Sequence, residues 1–393
     1  MEKLNAIVWI GLIVLFIINY YMFKKENKTN RNSNIELLRI FSMVSIVAHH
    51  FAYHGYGITG LAMTKNKLLL DFLVPSGKIG VNIFVIISAY YLIEKKYSWK
   101  GVLKLIISIK IYALLFLLFA IIGKEQISLF SMIKSLFPII YGLYWFISCY
   151  VLLYMIAPFL NIFLNNISKF QLKQFILLCS VIYIFINVFM GANLFFSRII
   201  WFIILYIITY YFKIYVDIEN IKTNKLLISS ILCYILLYMS VVGFDILGIK
   251  HIIFRTHMLH FIAENSIFSV IISFCLWLNY LKKDPKYSKI INYISSGTLS
   301  VYIIHENVFV RPILYNKILK TGTFITFDFI QFMVYSICSV AGTFIICLMI
   351  GKITEYILQV TVFKVICLTK LEENLKKYMN KLLNSFNNYE KIK

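Results

Sequence analysis

Apolar runs long enough to cross a bilayer recur along the whole chain, and no other feature restricts its fold as strongly. They fall near 4–23, 37–53, 79–93, 105–122, 143–164, 174–191, 199–216, 226–243, 266–281, 299–316 and 329–351. A membrane helix needs roughly 20 apolar residues. Hydrocarbon offers no partner to an unpaired backbone group, so open sheets and irregular loops are excluded there. The runs therefore predict an all-α, polytopic transmembrane helical bundle of about 10–11 membrane helices. At 61% hydrophobic and 14% charged, the chain could not hold so many such runs in water. One run differs from the rest: "SVYIIHENVFVRPILY" within 299–316 carries His305, Glu306, Arg311 and Pro312. It predicts a short or broken helix of the kind tolerated where it lines a cavity.

The formal charge of +22 raises the question of nucleic acid. Its Lys and Arg do not gather on one amphipathic surface; they fill short gaps between apolar runs, as loop charges of membrane proteins do. No nucleic-acid partner is expected. Gaps at 24–36, 94–104, 165–173, 213–225 and 282–298 are richer in Lys and Arg than the alternate gaps. By the positive-inside rule these face the cytoplasm, and so does the basic tail after Lys352. An odd helix count then puts the N-terminus outside. The run 4–23 ends in "NYYMFKKENK" without a small-residue cleavage site, so it reads as a retained first span. Residues 1–363 form one multi-pass domain in this reading, with 4–23 an extra N-terminal span. Residues 364–393 form a basic cytoplasmic tail, either lying on anionic lipid or solvated. The seven Cys are scattered, with no CxxC, and read as small apolar side chains.

Against this apolar background, "NIELLRIFSMVSIVAHHF" at 34–51 carries ionic groups at both ends. Eleven helical steps leave a rotation of roughly 20°, so Arg39 and His50 share a face about 16 Å apart along the axis. Glu36 and His54 fall within about 60° of the same line, while His49 points elsewhere. Charged groups at membrane depth cost several kcal/mol unless paired or wetted, which makes the aligned stripe a functional candidate. Histidine takes and returns a proton near neutral pH. Arginine keeps its charge and holds phosphates in a fixed fork. A cation at the cytoplasmic mouth with a base deeper in suits a long anionic donor entering from inside, a shape coenzyme A thioesters have.

Other polar groups lie in apolar surroundings. Asn82 and Ser88 are read either as part of a binding site or as links between packed helices. Trp145 is read as a contact for the donor's apolar arm or as an interface aromatic. His305, Glu306 and Arg311 bind an acceptor at the outer mouth, support His50, or end a helix in interfacial water. In "GIKHIIFRTHMLHFIAEN", the spacing of His257, His260 and Glu264 puts all three on one helical face, which permits a metal. No recognised ligand set is present, and no metal is expected.

The same residues carry a family resemblance. Glu36, Arg39 and His50 in "IELLRIFSMVSIVAHH" match an acidic residue, Arg three later and His after ten more. "GKIGVNIFVIISAYYLI" resembles a G-V-x-x-F-F-x-x-S-G helix through Gly80, Val81, Phe84 and Ser88, with Asn82 at a position that is commonly acidic and Ala89 where Gly is common. "YGLYWFISCYVLLYMIAPFLN" supplies Tyr144, Trp145, Phe146, Pro158 and Asn161, and "TLSVYIIHENVFVRP" supplies Tyr302 and His305. In this order the chain resembles the acyltransferase type 3 family of integral membrane acyltransferases.

That resemblance implies an O-acetyltransferase of the cell membrane with acetyl-coenzyme A, or another acyl-coenzyme A, as donor substrate and no bound cofactor. It implies a cell-surface glycan hydroxyl, or that of a lipid-linked precursor, as acceptor. His50, Arg39 and Glu36 are the expected catalytic set. Asn82, Ser88, Trp145, His305, Glu306 and Arg311 are the expected donor- or acceptor-binding set. The rival is a transporter or flippase of lipid-linked sugars, which should show matched halves with interrupted helices; the sequence shows no such symmetry. A glycan polymerase should carry large outer loops, and these are short.

Overall fold

The computed structural model describes residues 2–25, 31–95, 98–191, 196–365, 370–375 and 377–378. The chain runs through α1 (Glu2–Lys25), α2 (Ser33–Tyr56), α3 (Lys65–Leu92), α4 (Trp99–Ile122), α5 (Leu129–Leu136), α6 (Trp145–Asn165), α7 (Lys169–Ser180), α8 (Arg198–Tyr215) and α9 (Thr223–Lys250). It continues through α10 (Ile252–Thr256), α11 (Ile267–Leu281), α12 (Lys289–Ser296), α13 (Thr298–His305), α14 (Val310–Pro312), α15 (Thr321–Phe324) and α16 (Phe329–Val360). Among the described residues there is no strand, and nine helices are long and apolar enough to cross a membrane. The chain is a multi-pass membrane protein. Most of the tail expected at 364–393 lies outside the described residues.

At the centre is the antiparallel pair α2–α3. Asn32 caps α2, its side chain accepting from Asn34 N at 3.0 Å, and Gly57 ends it at φ +55°. Thr64 caps α3 by accepting from Lys67 N at 3.2 Å. The two helices touch backbone to backbone because glycine leaves the space. A Cβ on Gly80 would stand 2.6 Å from the Ser42 carbonyl oxygen, and one on Gly77 would stand 2.3 Å from His49 Cβ. Ser76 Oγ donates to Ser45 O at 2.9 Å, which fixes the register.

The apolar run at 79–93 marks only the second half of α3, which begins at Lys65. Its first turns hold Lys67 and Asp71, charges that a hydropathy reading leaves outside a span. They are buried because Lys67 Nζ donates to Asp71 Oδ1 at 2.7 Å and to Asp245 Oδ2 of α9 at 2.6 Å. The pairing partner is remote in sequence.

The run 299–316 is broken, as its polar residues predict. α13 stops at His305; Asn307 Oδ1 then accepts from Phe309 N at 2.9 Å, and α14 leads into a π-helical turn at Ile313–Ile318. Within the break Asn307 is fully buried, its Nδ2 donating to the Tyr144 hydroxyl at 2.7 Å. The family-type residue Asn161 also works within the scaffold. Its Nδ2 donates to Ile93 O at 3.2 Å, and its Oδ1 accepts from the Tyr206 hydroxyl at 2.6 Å, so α6 is tied to α3 and α8.

Candidate active site

Because α2 is one unbroken α-helix, the sequence spacing carries over into space. Glu36 meets Ser295 of α12, whereas His50 and His54 meet the residues that follow at the end of α13. One face of α2 thus addresses the α12–α14 chain from end to end. His49 turns away, and its Nδ1 donates to Val74 O of α3 at 2.6 Å.

At the His50 end, two imidazoles and a carboxylate form a connected set. His305 is fully buried, and its Nδ1 donates to Val301 O at 2.6 Å. In a neutral ring this leaves Nε2 of His305 as an acceptor. His50 Nδ1 lies 2.9 Å from that atom, so it carries the proton and points it at His305 Nε2; Glu306 Oε2 stands 3.1 Å from the same nitrogen without accepting a hydrogen bond. Nε2 of His50 keeps its lone pair and has no protein partner among the described residues. Glu306 is held in turn by Arg311, whose Nη1 donates to Oε1 at 3.0 Å; His54 Nε2 stands 3.5 Å from the same oxygen. The arrangement is that of a base oriented by a second group, with a carboxylate behind it.

At the other end of the stripe, Arg39 Nη1 donates to Glu36 Oε1 at 2.9 Å and Oε2 at 2.7 Å. Glu36 is buried, and Oε2 also accepts from the Ser295 hydroxyl. The carboxylate is thereby fixed from two helices, and it fixes the guanidinium. Arg39 remains partly exposed, at 22% for its side chain, and Nη1 alone makes both of these bonds.

The remaining expected site residues divide by how far their polar atoms are already engaged. Asn82 is fully buried; its Nδ2 donates to Glu264 O at 2.7 Å and its Oδ1 accepts from Trp201 Nε1 at 3.1 Å. It joins α3, α8 and the turn before α11, and both of its polar atoms already have protein partners. His305 is likewise committed at both nitrogens. Ser88 is half-buried on α3. Trp145 is half-buried at the start of α6, with the Arg198 guanidinium carbon 4.7 Å from its ring centroid.

His257, His260 and Glu264 do not share a helical face. The segment breaks into α10, a turn and a short 3-10 piece at His260–Ile262, because three-residue turns replace the helix after Thr256. His257 Nδ1 bonds Ile253 O at 2.8 Å within its own loop. Glu264 instead accepts from Lys78 Nζ at 2.8 Å. This Lys78–Glu264 pair is the main polar feature near His50 that residue spacing alone did not bring together, although both residues stand out as charges beside apolar runs.

His50, His54 and Glu306 place ligand-type atoms within 4.8 Å of one another. Arg311 Nη1 already lies 3.0 Å from Glu306 Oε1 and 3.4 Å from His54 Nε2, so that space holds a positive charge of the protein's own. A cation there would be repelled, and the donor set fits a buttress for His50 better than a metal centre.

Comparison with known proteins agrees with the architecture. The family described as acyltransferase domain, acyltransferase 3, matches residues 32–352, the stretch from the cap of α2 into α16. No curated protein and no solved structure matches the chain.

Proposed function

The chain belongs to the acyltransferase 3 family, and on that premise we propose that it moves an acetyl group from acetyl-coenzyme A to a hydroxyl of a cell-envelope polysaccharide or its lipid-linked precursor. The donor enters from the cytoplasmic face, where Arg39, steadied by Glu36, holds a phosphate or another anionic part. A guanidinium fork matches phosphate geometry better than a point charge does. The thioester then reaches up the α2 stripe toward His50. The acceptor hydroxyl gives its proton to His50 Nε2 as its oxygen attacks the thioester carbon. The departing thiolate takes the proton back, so the imidazole returns to its starting state.

The observation that carries this reading is the 2.9 Å contact of His50 Nδ1 with His305 Nε2: with His305 neutral and its Nδ1 donating to Val301 O, His50 donates through Nδ1 and its lone pair sits on Nε2. His305, Glu306 and Arg311 are assigned to holding that ring; Ser88 and Trp145 are assigned to the walls along which donor or acceptor lies. Positioned proton transfer accounts for roughly 10²–10⁴-fold in rate, and alignment of the two substrates contributes further.

The test is release of free thiol from acetyl-coenzyme A by the purified protein with envelope glycan as acceptor, together with ester-linked acetate on the glycan of cells with and without the gene. His50→Ala is expected to cut release by about 10²-fold or more. Release that continues unchanged in His50→Ala removes the base. Absence of both thiol release and glycan ester removes the acetyl-transfer reading.

A further inference from the structure

Lys78 occupies a position that bundle packing alone does not explain. It is the fourteenth residue of the 28-residue helix α3, midway along a span in which its neighbours Gly77 and Ile79 are buried. An ammonium at that depth is costly unless it is paired or opens on a polar space. Here the pairing is present: Nζ donates to Glu264 Oε1 at 2.8 Å, and the Lys78 side chain keeps 26% exposure against 8% for Glu264. Glu264 is itself fixed through its backbone carbonyl by Asn82, which Trp201 holds in turn. Glu264 is the buried, anchored member of the pair, and Lys78 the partly exposed one.

The α2–α3 register sets the height of this ammonium. Ser76 bonds Ser45 O, His49 bonds Val74 O, and Gly80 lies against Ser42 O. Lys78 therefore stands level with the turn at Ser45–Ile46, between Arg39 below and His50 above. A donor stretched from Arg39 to His50 crosses this height.

From this placement we propose that Lys78 is a catalytic residue: its ammonium receives the negative charge that develops on the thioester carbonyl oxygen when the acceptor hydroxyl attacks. The inference rests on the acetyl-transfer reading and adds the group that reading lacks. As the new C–O bond forms, the hydroxyl proton passes to His50 Nε2 and the C=O electron pair moves to the oxygen, which becomes an alkoxide facing Lys78 Nζ. Collapse re-forms C=O and breaks C–S; the sulfur leaves with the electron pair and takes the proton from His50. Lys78 exchanges no proton, and Glu264 keeps it in place without neutralising the side turned to the substrate.

The experiment uses the full chain in native-like membranes with acetyl-coenzyme A and envelope glycan, comparing Lys78→Met, Lys78→Arg, Glu264→Gln and the double variant Lys78→Met/Glu264→Gln. Removing one preorganised charge donor is expected to lower kcat about 10²–10³-fold, with the KM for acetyl-coenzyme A little changed; Lys78→Arg should retain part of the rate. Lys78→Met strands the Glu264 carboxylate and can fail to fold, so the double variant decides. It carries neither charge and is expected to accumulate like the parent while staying slow. If the double variant recovers the parental rate, Lys78 serves only as the counter-ion of Glu264 and the proposal is overturned. Parental kcat in Lys78→Met overturns it as well, while His50-dependent release in that same series keeps the acetyl-transfer reading standing.

Discussion

At the scale of single residues, the candidate site is a problem of where protons and charges are allowed to rest inside a bilayer. The ionic groups of the α2 stripe and of the break after α13 have partners that limit their behaviour. Glu36 limits Arg39, His305 limits His50, and Arg311 limits Glu306. The stripe itself was legible, since helical rotation alone aligns Arg39 with His50. Its partners were only partly so. His305, Glu306 and Arg311 stood out as polar groups in an apolar run, but contact with His50 crosses more than 250 residues, and no local pattern encodes it. The role given to Arg39 makes a specific demand. One nitrogen, Nη1, already serves both oxygens of Glu36, so donor binding must use the rest of the fork. Lysine could keep the pair with Glu36 but would have no planar second edge. Arg39→Lys is therefore expected to raise the KM for acetyl-coenzyme A by about tenfold or more, as loss of a charge-assisted hydrogen bond does, with a smaller fall in kcat. Steady-state kinetics over donor concentration check this; an unchanged KM would detach Arg39 from the donor.

At the scale of elements, long apolar helices were readable because length and hydropathy are local properties. The misjudged boundaries share one cause. α3 starts fourteen residues before its apolar run because Lys67 is paired with Asp71 and with Asp245 from α9, and the helix of α10 fails at His257 where the spacing promised a continuous face. Tertiary partners override the local pattern in both cases. The close α2–α3 contact sets the height of Lys78 between Arg39 and His50. It depends on Gly77, where any Cβ would enter His49. Gly77→Ala must therefore push the helices apart or move His49, at a cost of about 1–3 kcal/mol typical of overpacking. The expected result is a lower thermal midpoint in detergent together with reduced thiol release. Gly60→Ala is the control, since nothing lies within 4 Å of a Cβ at that position. Equal midpoints for the two variants would mean that the helix contact tolerates the added methyl.

For the molecule as a whole, the division between the part that makes the site and the part that braces it follows the chain. Every residue of the proposed reaction, from Glu36 to Arg311, lies within the matched stretch 32–352, and α1 lies outside it. Yet α1 is not merely adjacent. Asn19 Nδ2 donates to Met349 O of α16 at 3.2 Å, and the Tyr293 hydroxyl of α12 donates to Asn19 Oδ1 at 3.1 Å. Phe23 meets the Tyr293 ring edge-on at 5.4 Å between centroids. Tyr293 is also braced from the other side by the Lys352 ammonium, 4.0 Å above its ring. Polar links of this kind between membrane helices contribute about 0.6–2 kcal/mol each, enough to secure α12 without building the site. Removing residues 2–25 should therefore lower the thermal midpoint while His50-dependent thiol release persists, because the contacts among His50, His305, Glu306 and Arg311 do not pass through α1. The measurement pairs a melting curve in detergent with thiol release from the truncated protein and from its His50→Ala variant. A truncated protein that melts cooperatively but shows no His50-dependent release would place α1 inside the catalytic machinery, acting through Tyr293 and Ser295 on Glu36, and the boundary at residue 32 would no longer separate brace from site.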